Sequence, residues 1–165
     1  MTVATIAAAS GEETLPFDVF RARRSIFLAL TEARTRYGGA RAAIVDGDER
    51  VLTYDEVVRA ALALGHALKR GTRPGETVGI MLPTGAGAVI AFFAVSAFGR
   101  IPAMLNFTTG AAGIRSMLAT GQIKRIVTAH KFVELGKLDA LVADLSRSAE
   151  IVYLEDVREK LTLAD

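Results

Sequence analysis

The feature that most constrains the fold is a regular alternation of short apolar runs with longer segments of helical periodicity. The apolar runs at 77–82, 101–105, 125–128 and 151–154 have the length and composition of buried strands. Segments with helical spacing separate them, and only short loops join the two kinds of element. Strands that alternate with helices form parallel βαβ units. The sequence therefore predicts the α/β class, with a doubly wound parallel sheet and helices on both faces.

The helix predicted to begin after Thr53 carries the clearest local signature. Thr53 and Glu56 form a capping box, in which the threonine hydroxyl accepts the Glu56 backbone N–H and the glutamate carboxylate accepts that of Thr53. Lys69-Arg70-Gly71 is typical of a helix end, because cations favour the negative end of the helix dipole. A hairpin with a polar turn is predicted at 42–52. The predicted helices are 24–37, 53–70, 85–99, 111–119 and 132–145.

An uncharged stretch of 22 residues, Val78 to Gly99, is nominally long enough to cross a bilayer. Pro83 and three glycines interrupt it, and its first residues suit a strand. A buried strand, a turn and a buried helix explain the stretch better, since parallel sheets are covered on both faces. The following stretch, 98–110, is interpreted as scaffold: Gly99 closes the helix, Pro102 fixes the strand entry, and Met104-Leu105 fill the sheet.

The charge balance limits which kinds of partner the chain can have, and the cysteine content indicates its cellular compartment. Twenty basic residues against 18 acidic ones give a net charge of +2, too near balance to indicate a nucleic-acid partner. There is no cysteine, which excludes disulfides and thiolate chemistry and fits the cytoplasm. Residues 1–10 lack the pattern of a signal peptide. We expect a disordered tail at 1–14 and a single α/β unit at 15–165.

Arginines are concentrated in the first quarter of the chain. One interpretation is a peripheral contact with anionic lipid at the cytoplasmic face of the inner membrane, or with an acidic carrier protein. The alternative is an ordinary solvated helix face. The cluster comprises Arg21, Arg23, Arg24, Arg34, Arg36 and Arg41.

Two glycine-containing turns resemble phosphate-binding loops without matching them. Gly85 and Gly87 fit the first two positions of G-x-G-x-x-G, but Ile90 occupies the third, so a tight turn into a helix is the simpler account. The loop at 107–113 has hydroxyls and a helix start, but no lysine stands where a Walker loop needs one. Thr109 is predicted to act there as a plain helix N-cap.

No constellation of catalytic residues emerges from the spacing. His66 and His130 have no second histidine at metal-ligand spacing, and neither has an aspartate five residues on. Ser96 lacks the G-x-S-x-G turn that exposes a nucleophile. The residues alone therefore predict no metal site and no catalytic site in this chain.

Several segments, in order, resemble the start of an adenylate-forming acyl ligase. Residues 52–57 (LTYDEV) are similar to the family's early L-T-Y-x-E-L box, and 73–78 (RPGETV) to its entry into a core strand. Residues 97–106 are similar to its K-A-G-x-x-P…L-N box, with Phe98 in the place of lysine and Arg100 in that of alanine.

A narrower resemblance comes from the second half of the chain. Segments 102–108, 123–128, 131–132, 136–138 and 151–157 are similar, in that order, to the synthetase part of the acyl-[acyl-carrier-protein] synthetase / 2-acylglycerophosphoethanolamine acyltransferases. Residues 163–165 complete the series. The resemblance runs from about residue 15 to the last residue.

The resemblance implies a two-step ligase. A fatty acid carboxylate attacks the α-phosphate of Mg-ATP to give an acyl-adenylate, and the thiol of acyl carrier protein then displaces AMP. An acyltransferase region passes the acyl group to a lysophospholipid. ATP and Mg are expected in the full-length enzyme and none on this part, because the family's phosphate loop, magnesium glutamate and ribose aspartate have no counterpart here. Asn106, Phe107 and Thr108 would lie at the wall of the substrate cleft.

Two further expectations concern the chain by itself. It would be inactive in adenylation, and it would form a dimer to cover apolar surface. The alternative function is that of a stand-alone, non-catalytic module that binds a nucleotide at the Gly85 or Gly110 turn, or that docks through its arginines.

Overall fold

The structure, a computed structural model, describes residues 17–47 and 49–162. The expected tail at 1–14 and the residues 163–165 lie outside this part of the chain. The elements follow one another as α1 (Val19–Ala22), α2 (Ile26–Tyr37), β1 (Ala42–Val45), β2 (Val51–Thr53), α3 (Tyr54–Leu68), β3 (Thr77–Ile80), α4 (Ala86–Ala97), β4 (Ile101–Met104), a 3-10 turn (Phe107–Thr109), α5 (Gly110–Thr120), β5 (Arg125–Thr128), α6 (His130–Leu135), α7 (Asp139–Leu145), β6 (Glu150–Tyr153) and α8 (Leu154–Thr162).

Four strands form the main sheet, in the order β4-β3-β5-β6, and every neighbouring pair is parallel. The first strand of this sheet along the chain is β3. Strand β4 then pairs with one side of β3, β5 pairs with its other side, and β6 pairs with β5. The predicted α/β fold with a parallel sheet is confirmed. The predicted hairpin is also confirmed, because β1 and β2 pair antiparallel as a separate two-stranded sheet.

Each face of the main sheet carries its own apolar core. On one face, Val78, Ile80 and Val127 pack against buried residues of α3 and α4. On the other face, Met81 and Ile126 pack against buried residues of α5 and α7. Adjacent residues of a strand point to opposite faces, so the unbroken apolar runs of these strands supply both cores at once.

The uncharged stretch 78–99 folds as predicted into a strand, a turn and a helix, and α4 exposes only Gly87. Helix α4 lies between the sheet and α3, with Ala91 and Ala94 completely buried. In the described residues, no helix combines the length and the apolar character that crossing a bilayer requires.

The capping box at the start of α3 is present as predicted. The Thr53 hydroxyl accepts the N–H of Glu56 at 3.3 Å, and Oε2 of Glu56 accepts the N–H of Thr53 at 2.7 Å. The same carboxylate oxygen accepts the Thr53 hydroxyl proton at 2.9 Å. These hydrogen bonds to the charged form lower the pKa of Glu56.

The far end of α3 differs from the expectation that Lys69 and Arg70 supply its cations. Arg125 donates to the carbonyl oxygens of Leu68 at 2.9 Å and of Arg70 at 2.6 Å. Arg100 donates to that of Lys69 at 3.2 Å. Arg100 directly precedes β4 and Arg125 begins β5. The end of α3 is therefore capped by side chains distant in sequence, which donate hydrogen bonds to carbonyl groups that have no partner within the helix.

The single helix predicted at 132–145 is wrong: the structure has two, α6 and α7, with a turn between them. Lys137 adopts a left-handed backbone with φ 51°, and the N–H of Leu138 donates to the carbonyl of Val133 at 2.9 Å. This six-to-one hydrogen bond across a left-handed residue is a Schellman motif, which ends a helix. Leu138 then packs into the core of that sheet face.

Strand β4 is an edge strand, so two details of the scaffold interpretation change. Met104 does not fill the sheet but is 54% exposed, whereas Leu105 is buried. The N–H groups of Ile101 and Leu105 donate to β3 and its flanking residue, so Pro102 between them faces the open edge. A proline there removes a free donor and protects the edge from pairing with another strand. Gly99, with φ 74°, closes α4 as predicted.

Candidate functional site

The candidate site is the carboxyl edge of the main sheet, by which we mean the end where all four parallel strands finish rather than the side formed by β4. In open parallel sheets, ligands bind outside the carboxyl ends of the strands, next to the point where the strand order reverses. Here that point lies between β3 and β5. The segments that follow the strands are 81–85, 105–109, 129–131 and 154–156.

The residues predicted at a cleft wall, Asn106, Phe107 and Thr108, follow β4 at this edge. Asn106 Oδ1 accepts the backbone N–H of Thr108 at 3.0 Å and its hydroxyl at 2.7 Å. Asn106 and Thr108 are exposed, while Phe107 is half-buried. The asparagine thereby fixes the short 3-10 turn that follows β4. The contact of all three residues with a substrate stays a prediction.

Phe107 connects this turn to helix α6. Its ring packs edge-on against that of Phe132, with the ring centroids 5.0 Å apart. Both rings pack against the core on the face of the main sheet that includes Met81 and Ile126. The turn after β4 is therefore held from two sides, by the Asn106 hydrogen bonds and by an aromatic contact to α6.

Thr109 precedes α5 as predicted but does not cap it with its side chain. Its hydroxyl donates instead to the carbonyl of Asn106 at 2.8 Å, and Gly110 follows with φ 72°. The helix entrance is thus shaped by the preceding 3-10 turn, which the helical spacing of 111–119 did not predict.

The turn at Gly85 leads into α4 as predicted, and a carboxylate already occupies the helix entrance. Oδ2 of Asp46, from the hairpin turn, accepts the N–H of Ala86 at 3.2 Å. A side-chain Cβ at Gly85 would lie 3.1 Å from the other Asp46 oxygen. Helix N-termini attract anions, so Asp46 satisfies the position that a phosphate would otherwise take.

His130 stands at the centre of a polar cluster after β5. Its Nε2 atom lies 2.7 Å from Oδ1 of Asp156, and its ring stacks on Tyr153 with centroids 3.7 Å apart and planes 7° from parallel. The Glu155 carboxylate accepts the backbone N–H of His130 at 3.0 Å and that of Lys131 at 3.2 Å. These contacts join the beginnings of α6 and α8.

The surroundings of Glu155 favour its charged form. Partial burial raises the pKa of the carboxyl, but hydrogen bonds from the N–H groups of His130, Glu155 itself and Lys131 outweigh that effect. Attraction to His130 acts in the same direction as the hydrogen bonds. The pKa of Glu155 therefore lies below its ordinary value of 4.5.

Spacing alone missed this cluster. Neither histidine has an aspartate five residues on, whereas the aspartate partner of His130 is 26 residues away. The usable signal was that His130 and the pair Glu155-Asp156 each follow a predicted strand of one parallel sheet. The carboxyl ends of such strands meet at one edge, which brings their first residues together.

The arrangement fixes the relative positions of three segments at this edge of the sheet. The His130 cluster holds two helices, and the Asn106 turn holds the loop after β4. Within 17–47 and 49–162, no three histidine or acidic side chains come close enough to hold a metal ion. The Asp46 carboxylate at the α4 entrance would repel a triphosphate there.

The matching family model is that of the AMP-binding enzymes, and it covers residues 30–165. The chain belongs to the AMP-binding enzyme family. This match spans all the elements of the main sheet, so the sheet edge described above is a part of that family's fold.

The sequence relatives of this chain are enzymes with much longer chains. It is 33% identical over 102 residues to acetyl-coenzyme A synthetase of Penicillium chrysogenum, and this alignment covers 59% of this chain and 15% of the relative. It is 39% identical over 83 residues to enterobactin synthase component E of Escherichia coli strain K12, which covers 49% and 15%. The aligned part is thus about one seventh of the length of these relatives.

Solved structures show the same fold at low sequence identity. The N-terminal domain of FACL13 from Mycobacterium tuberculosis superposes with a TM-score of 0.72 and 14% identity, over 84% of this chain and 35% of that one. The anthranilate CoA ligase AuaEII, in complex with anthranoyl-AMP, gives a TM-score of 0.67 and 21% identity, over 82% and 27%. The fold of this chain is therefore that of the N-terminal subdomain of adenylate-forming enzymes.

Proposed function

We propose that this chain is the amino-terminal part of an ATP-dependent ligase that activates a carboxylic acid as an acyl-adenylate. The family match over residues 30–165 carries this proposal. In the reaction, a carboxylate oxygen attacks the α-phosphorus of ATP and pyrophosphate leaves. An acceptor thiol then attacks the acyl carbon, and AMP leaves. The energetic demand falls on the first step, which needs positive groups around the phosphates.

The described residues contribute structure to this reaction rather than phosphate binding. The entrance of α4 holds Asp46, and the entrance of α5 follows a turn whose hydroxyls are engaged with Asn106. We therefore assign the groups that bind ATP and Mg to other parts of a longer chain. The role left for Asn106, Phe107 and Thr108 is to form one wall of the cleft in which the acid and the acceptor meet.

For the substrates, we propose a fatty acid, with acyl carrier protein as acceptor and a lysophospholipid as the final destination of the acyl group. The ordered resemblance of 102–108, 123–128, 131–132, 136–138 and 151–157 to the acyl-carrier-protein synthetases that also serve 2-acylglycerophosphoethanolamine supports this choice. Such an enzyme works at the cytoplasmic face of the inner membrane, where both the carrier protein and the lipid are accessible.

A second candidate is a ligase for a small acid that uses coenzyme A. The sequence relatives of this chain include acetyl-coenzyme A synthetases of two fungi and of Chromobacterium violaceum, at 27–33% identity. The two candidates share the adenylation step and differ in the length of the acid and in the acceptor.

The test is to express the complete reading frame that encodes this chain and to measure acid-dependent exchange of pyrophosphate into ATP. Acetate, anthranilate and fatty acids of increasing length are the substrates, and coenzyme A and holo-acyl carrier protein are the acceptors. Exchange that requires a long-chain acid, with transfer to the carrier protein, supports the proposal. Exchange with acetate and transfer to coenzyme A would replace it by the second candidate.

The same assay on the 165-residue chain separates a ligase part from a nucleotide-binding module. We expect no exchange and no thermal stabilisation by ATP or AMP, because the Asp46 carboxylate fills the α4 entrance. Tight binding of either nucleotide to this chain would instead favour a stand-alone module.

A further inference from the structure

The beginning of the described chain exposes an unusual amount of apolar side chain. The rings of Phe17 and Phe20 are 84% and 83% exposed, although both are large. Neither ring belongs to any of the three core clusters. We call the exposed apolar side chains of this stretch the N-terminal patch, and its members are Phe17, Val19, Phe20, Ile26 and Leu28.

The patch is a separate surface from the inner side of the same helices. On α2, Phe27 and Leu30 face inward and pack against the core beside the hairpin, while Ile26 and Leu28 are exposed. Apolar residues therefore lie on the outer as well as on the inner side of α2. Five large apolar side chains are thus exposed within twelve residues of the chain, and such a concentration of exposed apolar side chains marks an interaction surface.

Positive charge accompanies the patch. Between residues 17 and 28 the sequence has three arginines against one aspartate, Asp18. Arg24 is paired with Glu32. Arg23 is exposed and makes no ion pair with any residue in the described ranges. Asp18 accepts the backbone N–H of Phe20 at 2.9 Å and so serves the start of α1.

We propose that the N-terminal patch binds an anionic phospholipid surface. Exposed aromatic and aliphatic side chains beside arginines fit the bilayer interface, where rings enter the headgroup region and guanidinium groups contact the phosphates. A second copy of the chain is a poorer occupant, because two-fold contact between identical patches would bring their arginines together. The inference stands on exposure and charge, and it does not rest on the ligase proposal.

The experiment is co-sedimentation of the 165-residue chain with vesicles. Vesicles of phosphatidylglycerol mixed with phosphatidylcholine are compared with vesicles of phosphatidylcholine alone, at low and at physiological salt. We expect binding to the anionic vesicles that weakens as salt rises, because salt screens the attraction between arginine and phosphate.

Matched variants locate the binding surface. We expect Phe17→Ser with Phe20→Ser, and separately Arg23→Glu, to weaken binding by about tenfold. Leu135→Ser changes a side chain that is 73% exposed at the end of α6, and Arg73→Glu changes an exposed arginine before β3. Both controls should bind like the unchanged chain. Circular dichroism melting curves check that each variant is folded.

Several results would overturn the proposal. One is the absence of binding to anionic vesicles at low salt, and another is an equal loss in the control variants. A dimer that depends on Phe17 and Phe20, seen by light scattering without vesicle binding, would assign the patch to a second copy. Salt-sensitive binding of polyglutamate without vesicle binding would assign it to an acidic protein.

Discussion

The ring of His130 lies 2.7 Å from the Asp156 carboxylate on one side and stacks on Tyr153 at 3.7 Å on its face. Asp156 belongs to the first turn of α8, and His130 begins α6. Together with Glu155, these contacts join two helices that follow neighbouring strands. The carboxyl edge of the sheet is therefore held together by polar contacts.

Replacing Glu155 should destabilise the chain in a pH-dependent way. We expect Glu155→Ala to lower the free energy of unfolding at neutral pH by about 1 kcal/mol, because two N–H groups at the start of α6 lose their acceptor. The folded-state pKa of Glu155 is lowered, so its stabilisation is fully present above the ordinary value of 4.5 and is lost as pH falls through the folded-state pKa.

Urea denaturation of Glu155→Ala and Glu155→Gln across this pH range checks the sign. The glutamine variant keeps an acceptor but cannot titrate, so its deficit should be smaller, and part of the pH dependence of the unchanged chain should disappear. A difference between the unchanged chain and Glu155→Ala that grows as the pH falls would contradict the assignment.

The contribution of the capping box at the start of α3 to stability can be measured by removing the Thr53 hydroxyl. Thr53→Ala removes the hydroxyl that accepts the Glu56 N–H at 3.3 Å, and we expect a loss of about 1 kcal/mol in unfolding free energy. Thr53→Ser keeps the hydroxyl and should recover most of the loss in thermal denaturation. If serine and alanine proved equally destabilising, the threonine methyl group rather than the cap would be responsible.

Two helical glycines should respond oppositely to a methyl group. A Cβ at Gly65 would lie 2.5 Å from the carbonyl oxygen of Ala94, whereas a Cβ at Gly87 would have nothing nearer than Leu154, at 4.0 Å. We expect Gly65→Ala to cost about 1–3 kcal/mol through overpacking of α3 against α4. Gly87→Ala should be neutral or stabilising by up to about 1 kcal/mol. Thermal melts of both would refute the close α3–α4 approach if Gly65→Ala were harmless.

The left-handed residue that ends α6 offers a stabilising change. Lys137 has φ 51°, which costs free energy for any residue with a Cβ, and we expect Lys137→Gly to raise the unfolding free energy by about 0.5–1 kcal/mol. Lys131→Gly, inside α6, should lower it, since glycine disfavours a helix interior. A destabilised Lys137→Gly variant would argue against the Schellman turn between α6 and α7.

The cap of α4 can be tested through Asp46. Asp46→Ala removes the acceptor of the Ala86 N–H and should cost about 1 kcal/mol, whereas Asp46→Asn keeps an acceptor and should cost less. Chemical denaturation measures both. An unchanged stability of Asp46→Ala would mean that the hairpin turn does not cap the helix.

Local sequence determined much of this fold. Apolar runs with helical segments between them predicted the strands of the parallel sheet, and Thr53 with Glu56 predicted the start of α3, because a strand period and a capping box depend only on near neighbours. The stretch 78–99 was predicted to be buried rather than membrane-spanning because Pro83 and its glycines interrupt it and its first residues suit a strand. Family membership was likewise predicted from short ordered segments.

Tertiary structure decided what depends on residues distant in the chain. Only packing placed Asp46 at the entrance of α4, Arg100 and Arg125 at the end of α3, and Asp156 beside His130, since each contact joins elements that the sheet brings together. Only packing made β4 an edge strand and left Met104 exposed. Periodicity records which residues are apolar, whereas strand order and helix contacts determine which of them are covered and which polar groups meet.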